Sequence, residues 1–135
     1  MISNADEFKK YVESDDDEEF SKSRDSAPDE VWLEVINKYP ELCSHVASNK
    51  TISALILEQL SLNESDAIRW DIAMKRRINR ETFERLAKDP EPSIRERIAC
   101  NPKVPRDILE KLCKDPDPIV FNAANEKLNL KKSEL

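Results

Sequence analysis

DPEPSIRERIACNPKVPRDILEKLCKD, residues Asp89 to Asp115, is one copy of a unit that recurs every 26 residues along the chain. One step back lies NESDAIRWDIAMKRRINRETFERLAKD, residues 63–89, and another step back lies NKYPELCSHVASNKTISALILEQLSLN, residues 37–63. A fourth, shortened copy opens at Asp115. The correspondence is chemical and holds position by position. Leu42, Ile68, Ile94 and Val120 share one phase; Val46, Ile72, Ile98 and Ala124 share the next, four residues on. Ala47, Ala73 and Ala99 follow, then Ile52, Ile78 and Val104, then Leu57, Phe83 and Leu109, and finally Leu60, Leu86 and Leu112.

Apolar residues three and four apart line one face of a helix. A face of this kind cannot bury itself, and a fixed period of such units is the mark of a solenoid, in which each copy packs on the next. The fold class predicted is therefore all-α: a short right-handed α-solenoid of two-helix units with a 26-residue period, behind an N-terminal helical cap. The first helices of the units are predicted over 40–48, 66–75, 92–100 and 118–127, the second over 54–61, 80–88 and 106–114. Ile52, Ile78 and Val104 precede the cap positions Ser53, Asn79 and Pro105. Each stands five residues before Leu57, Phe83 or Leu109, the spacing of a hydrophobic staple.

The 135 residues suit one domain with a moderate core. The organisation expected is an acidic segment and capping helix over 1–36, a repeat domain over 37–128 and a flexible tail over 129–135. Charge divides unevenly: residues 1–30 hold eleven acids and four bases, whereas 31–135 hold seventeen acids and eighteen bases. The excess sits in Asp15, Asp16, Asp17, Glu18 and Glu19. Around it, Phe8, Tyr11 and Val12 have helical spacing. They predict a short amphipathic helix followed by a solvated segment, against the alternative of a disordered acidic tail. A further helix is expected from 28 to 38, stopping before Pro40.

Glycine is absent. Phosphate-binding loops and nucleophile elbows depend on it for positive φ or close backbone approach, so those chemistries are disfavoured. The turns use Asn-Pro and Asp-Pro instead, as at Asn101-Pro102, Asp89-Pro90 and Asp115-Pro116. Three cysteines without a CxxC pair indicate neither a disulfide framework nor a zinc site, and no metal or cofactor is expected. No apolar run is long enough to span a bilayer, and the first ten residues lack the apolar core of a signal peptide, so a cytoplasmic location is expected.

The run Asp89…Ile94-Arg95…Ile98-Ala99…Asn101-Pro102…Pro105…Ile108-Leu109…Leu112, with Asp115 opening the next copy, resembles the leucine-rich-repeat-variant family and, more loosely, HEAT-like α-solenoids. The resemblance covers residues 37–125. It implies a helical scaffold and leaves the partner open. Some leucine-rich-repeat-variant proteins carry a cysteine-rich iron–sulfur segment; this chain has no matching cysteine cluster, so no such site is carried over. Arg69 and Arg95 match the arginine that HEAT-like repeats use in ladders with aspartates such as Asp89 and Asp115.

Catalytic candidates are few. The single histidine, His45, shares a phase with Asp71 and Arg97 and is expected to face solvent. Glu81 and Glu84 lie among bases on a helix surface. An enzyme is the least favoured reading. Recognition has better candidates. Glu81–Arg85, Glu84–Lys88, Asp107–Lys111 and Glu110–Lys114 are spaced as helical ion pairs. Lys75, Arg76, Arg77, Arg80, Lys103 and Arg106 are left without an obvious local partner. They form a surface excess of bases, or a patch for phosphate or an acidic protein, or an internal site over which the acidic front segment folds back. Both tryptophans occupy phases that other copies fill with polar residues. Trp32 is expected under an N-terminal cap of Phe8, Tyr11 and Phe20. Trp70, together with Arg69 and Met74, either anchors a partner or packs on the next unit.

The reading reached is a non-enzymatic protein-binding module, monomeric or weakly dimeric. In its narrowest form it is an acidic immunity protein that neutralises a basic bacterial toxin domain, with Asp15 to Glu19 and the Trp70 surface as contact candidates. The alternative is nucleic-acid binding through the basic surface from Lys75 to Arg106.

Overall fold

A computed structural model describes residues 1–133, and among these the chain is all-helical, with ten α-helices and no strand. They are α1 (Ala5–Glu13), α2 (Asp17–Ser21), α3 (Asp29–Lys38), α4 (Cys43–Ser48), α5 (Ala54–Leu60), α6 (Asp66–Ala73), α7 (Arg80–Leu86), α8 (Pro92–Cys100), α9 (Arg106–Leu112) and α10 (Pro118–Ser133). Short 3-10 turns at Lys22–Arg24 and Pro40–Leu42 complete the set. The chain divides into two compact units, Met1–Leu60 and Ser61–Leu135.

In the first unit α1 packs on α3, and α3 on α4 and α5. Trp32 is fully buried there, with the Phe8 ring edge-on at 5.0 Å and 86°. The expected cover is thus supplied by Phe8; Tyr11 is only half-buried and Phe20 is 36% exposed. The Trp32 indole N–H is buried without an acceptor, a cost that the apolar contact of a large ring offsets. Polar contacts fix α1 against α3: Glu34 Oε1 accepts from the Ala5 N–H at 2.7 Å, and Asp6 accepts from both Lys38 and the Tyr39 hydroxyl. The acidic run is not a solvated coil. Asp16 caps α2 by accepting from the Glu18 N–H at 3.2 Å, and Asp17, Glu18 and Glu19 form the first turn, where carboxylates favour the helix dipole.

In the second unit α8 lies between α6 and α10, with α7 and α9 alongside. Its core holds Ile72, Phe83, Leu86, Ile94, Ile98, Leu109, Leu112 and Val120, each no more than 3% exposed. Ile78 and Val104 are buried with Phe83 and Leu109, as the staple spacing requires. Ile68 is only half-buried. Beyond Pro118 no glycine or proline interrupts the chain, and α10 continues to Ser133 through residues read as a tail from 129 onward; Glu134 and Leu135 lie outside the described residues.

Among the described residues no residue has positive φ and no peptide is cis. The turns are closed by side chains in glycine's place. Asn63 Oδ1 accepts from the Ser65 N–H at 2.9 Å, Asp89 Oδ1 from Glu91 at 3.0 Å and Asp115 Oδ1 from Asp117 at 2.9 Å. Asn49 and Asn101 do the same for Thr51 and Lys103, both at 2.9 Å. These are Asx turns, in which the side chain stands in for a backbone acceptor.

Candidate recognition surface

Two arginines tie the turns of the second unit together. Arg69 binds Asp89 through Nε at 2.8 Å and a second nitrogen at 3.3 Å; Arg95 binds Asp115 in the same fork at 2.9 and 3.2 Å. The remaining guanidinium nitrogen reaches back to a turn carbonyl, Asn63 O at 2.9 Å for Arg69 and Asp89 O at 2.7 Å for Arg95. Both arginine side chains are 15% exposed. The hydrogen bonds that Arg69 donates to Asp89 hold its guanidinium pKa above the usual value. At Asp115 burial pushes the carboxyl up, but Arg95 and the Asp117 N–H outweigh it, and the pKa lies below the ordinary carboxylate range. Arg69, a contact candidate from sequence, is therefore occupied by the framework.

The basic surface shrinks likewise. Arg80 forms a two-pronged pair with Asp107 and a further bond to Glu84 at 2.9 Å. Arg106 binds Glu110 at 3.1 Å. The Asp107 contact is the main cause that raises the Arg80 pKa, and the same bond lowers that of Asp107. Arg80 and Arg106 thus do have local partners. They take Glu84, Asp107 and Glu110, the acids that the sequence spacing assigns to Lys88, Lys111 and Lys114. At Asp107 the planar guanidinium of Arg80 matches the carboxylate with two bonds, which an ammonium cannot; the Glu84 and Glu110 contacts are single bonds. Arg85, expected opposite Glu81, instead donates to Ser61 Oγ at 3.2 Å. At the turn after α6, Arg76 and Arg77 are exposed and Lys75 is half-buried; Lys103 is exposed as well. Asn101 joins these turns: its Nδ2 donates to Ala73 O and Lys75 O, both at 2.9 Å.

One face of α6 and α8 carries apolar side chains to solvent. Trp70 is 37% exposed and Met74, one turn on, is 47% exposed. The Arg97 guanidinium carbon stands 5.7 Å from the centre of the Trp70 ring, a cation–π contact. Beyond it a shallow cleft of about 100 Å³ is lined by Met74, Arg97, Cys100, Asn101 and Pro102. Sequence reading singled out Trp70 and Met74 and passed over Arg97. The available signal was its position 27 residues after Trp70, one more than the 26-residue spacing expected from sequence.

In the first unit Asp15, Asp16, Asp17 and Glu18 are exposed, and Glu19 is half-buried with Lys10 at 3.7 Å. A cleft of about 540 Å³ lies between Phe20, Arg24, His45 and Lys50. His45 is exposed, and the nearby Ser48 hydroxyl donates to the Ser44 carbonyl at 3.0 Å, so it is not held as a nucleophile by a base. Among the described residues no three His, Cys, Asp or Glu side chains are grouped to hold a metal, and no helix is long and apolar enough to cross a membrane. Comparison with protein-family models, with curated proteins and with solved structures finds no match.

Proposed function

We propose that this is a non-enzymatic protein-binding module, and that the helices are the two-helix units of a short right-handed α-solenoid similar to leucine-rich-repeat-variant and HEAT-like proteins. The observation that carries the binding reading is the exposed Trp70–Met74 pair with Arg97 laid over the indole. Trp and Arg dominate binding energy in interfaces because each combines large contact area with a directed polar edge. The repeat reading is supported by the Arg69–Asp89 and Arg95–Asp115 forks, which stand 26 residues apart, and by the row α6–α8–α10.

In its narrower form the partner is a basic protein, a bacterial toxin domain neutralised by an acidic immunity protein in the cytoplasm. The exposed carboxylates of Asp15 to Glu18 support that form by charge. Nucleic-acid binding has less support, since Arg80 and Arg106 are engaged with acids. The test is a pull-down from the native host, then titration of the captured protein against Trp70→Ala. That variant should weaken binding by about 2 kcal/mol or more and leave the melting midpoint nearly unchanged. A lowered midpoint together with an indole that iodide cannot quench would show Trp70 to be a packing residue and would end this reading.

A further inference from the structure

Between α7 and α9 runs a groove of about 340 Å³ whose floor includes Ala87, Ile108 and Leu112 and whose rim holds Lys88, Lys111 and Lys114. The carboxylates four residues before these lysines bind arginines instead: Glu84 and Asp107 go to Arg80, and Glu110 to Arg106. Asp115, also at the groove, is held by Arg95. Three ammonium groups are left facing one apolar trough without a carboxylate of their own. Such a site fits an acidic segment with an apolar side chain among its carboxylates.

The chain itself contains that segment. Around α2, Asp15, Asp16, Asp17 and Glu18 are exposed and enter no ion pair with the other described residues, while Phe20 is 36% exposed. Asp17 precedes Phe20 by three residues within α2, so the two share one side of the helix, while Asp16 caps its start. The aromatic ring matches the apolar floor and the carboxylates match the lysine rim.

We propose that the α7–α9 groove docks the Asp15–Phe20 segment of a second copy of this chain, giving weak, salt-sensitive self-association. The contact would mask the acidic segment, and a basic partner would release it by competition. Trp70 takes no part, so Trp70→Ala leaves self-association unchanged, and failure here is separable from failure of the partner reading.

Sedimentation equilibrium of the full chain tests it. The wild type should associate in about 50 mM salt, with a dissociation constant raised at least about tenfold by 500 mM. The triple change Lys88→Glu, Lys111→Glu, Lys114→Glu should be monomeric, as should Asp15→Lys, Asp17→Lys, Glu18→Lys. Combining both sets in one chain reverses both charges and should restore association. Circular dichroism checks each fold; where the glutamates unfold the chain, Lys→Gln at the same three positions replaces them and should also abolish association. A wild type that stays monomeric at low salt overturns the proposal, even if an unrelated acidic peptide occupies the groove. So does association that survives the lysine changes, or a combined variant that fails to recover.

Discussion

Asn101 is a buried polar side chain that bridges two turns of the second unit. It is 3% exposed, donates to the carbonyls of Ala73 and Lys75 at 2.9 Å each, and accepts from the Lys103 N–H at 2.9 Å. Asn101→Ala therefore deprives three backbone groups of partners at once. Each such bond contributes about 1 kcal/mol net, and a buried group left unmade costs about 1–3 kcal/mol. The Ala73 carbonyl lies in the buried bond, whereas the other two groups are only part-buried and water can reach them. Adding these gives a loss of about 3 kcal/mol, measurable as a shifted midpoint in a urea melt with little change in slope. Asn101→Asp is the sharper test. It keeps the acceptor for Lys103 but points a carboxylate at two carbonyl oxygens, so at neutral pH it should be worse than alanine. Its folded-state pKa would be raised above the unfolded value. Stability of the variant should then increase as pH falls through that raised pKa, because the protonated carboxyl can donate one bond again. A cost below about 1 kcal/mol for alanine, or an aspartate no worse than alanine at pH 7, would refute the role given to this residue.

Leu86 is fully buried, and Leu86→Ala should cost about 2–5 kcal/mol in the same melt by lost burial plus a cavity. Asp115 has a folded pKa below its unfolded value, so its contribution is present above about pH 4 and is lost as pH falls through the folded pKa; the acid limb of a pH–stability profile should flatten in Asp115→Asn. Binding of duplex DNA should be undetectable by fluorescence anisotropy at physiological salt; tight low-salt binding abolished by reversing Arg76, Arg77 and Arg80 would instead favour nucleic acid.

The helices were legible because their determinants are local and periodic. Core positions such as Ile94, Ile98 and Leu112 recur in phase, and Pro40, Pro102 and Pro116 punctuate the turns between helices. Trp32 was legible for a related reason: a large ring on a phase filled elsewhere by glutamate demands a local cover, and Phe8 supplies it. The Arg69–Asp89 and Arg95–Asp115 pairs were expected from the resemblance, but the partners of Arg80 and Arg106 were not. Spacing along one helix assigns Glu84 to Lys88 and Asp107 to Lys111. The structure lets Arg80 reach across to Asp107, which only the packing of α7 near α9 makes possible. Arg80–Glu84 and Arg106–Glu110 are themselves four-residue pairs that spacing allows as readily as Glu84–Lys88 and Glu110–Lys114; only Arg80–Asp107 lies beyond one helix. The α2 helix escaped notice because five acids in succession read as solvated chain, whereas Asp16 turns that run into a cap and first turn.

Asn101 and the two arginine forks have a consequence for the binding proposed at the Trp70 face. Trp70, Met74 and Arg97 stand on α6 and α8, whose ends are held by Arg69–Asp89, Arg95–Asp115 and the Asn101 bridge. Proline and Asx turns narrow the conformations open to the connecting chain before folding, so less freedom is lost when the turns form. A surface set on such turns meets a partner with its side chains already placed, and little ordering cost is left to oppose binding. For that reason Asn101→Ala should weaken binding at the Trp70 face even though Asn101 itself is buried. Because the anchors would be intact but no longer fixed, the loss should be smaller than that of Trp70→Ala. Equal losses would mean that Asn101 acts by unfolding the unit, which the melt of the same variant distinguishes.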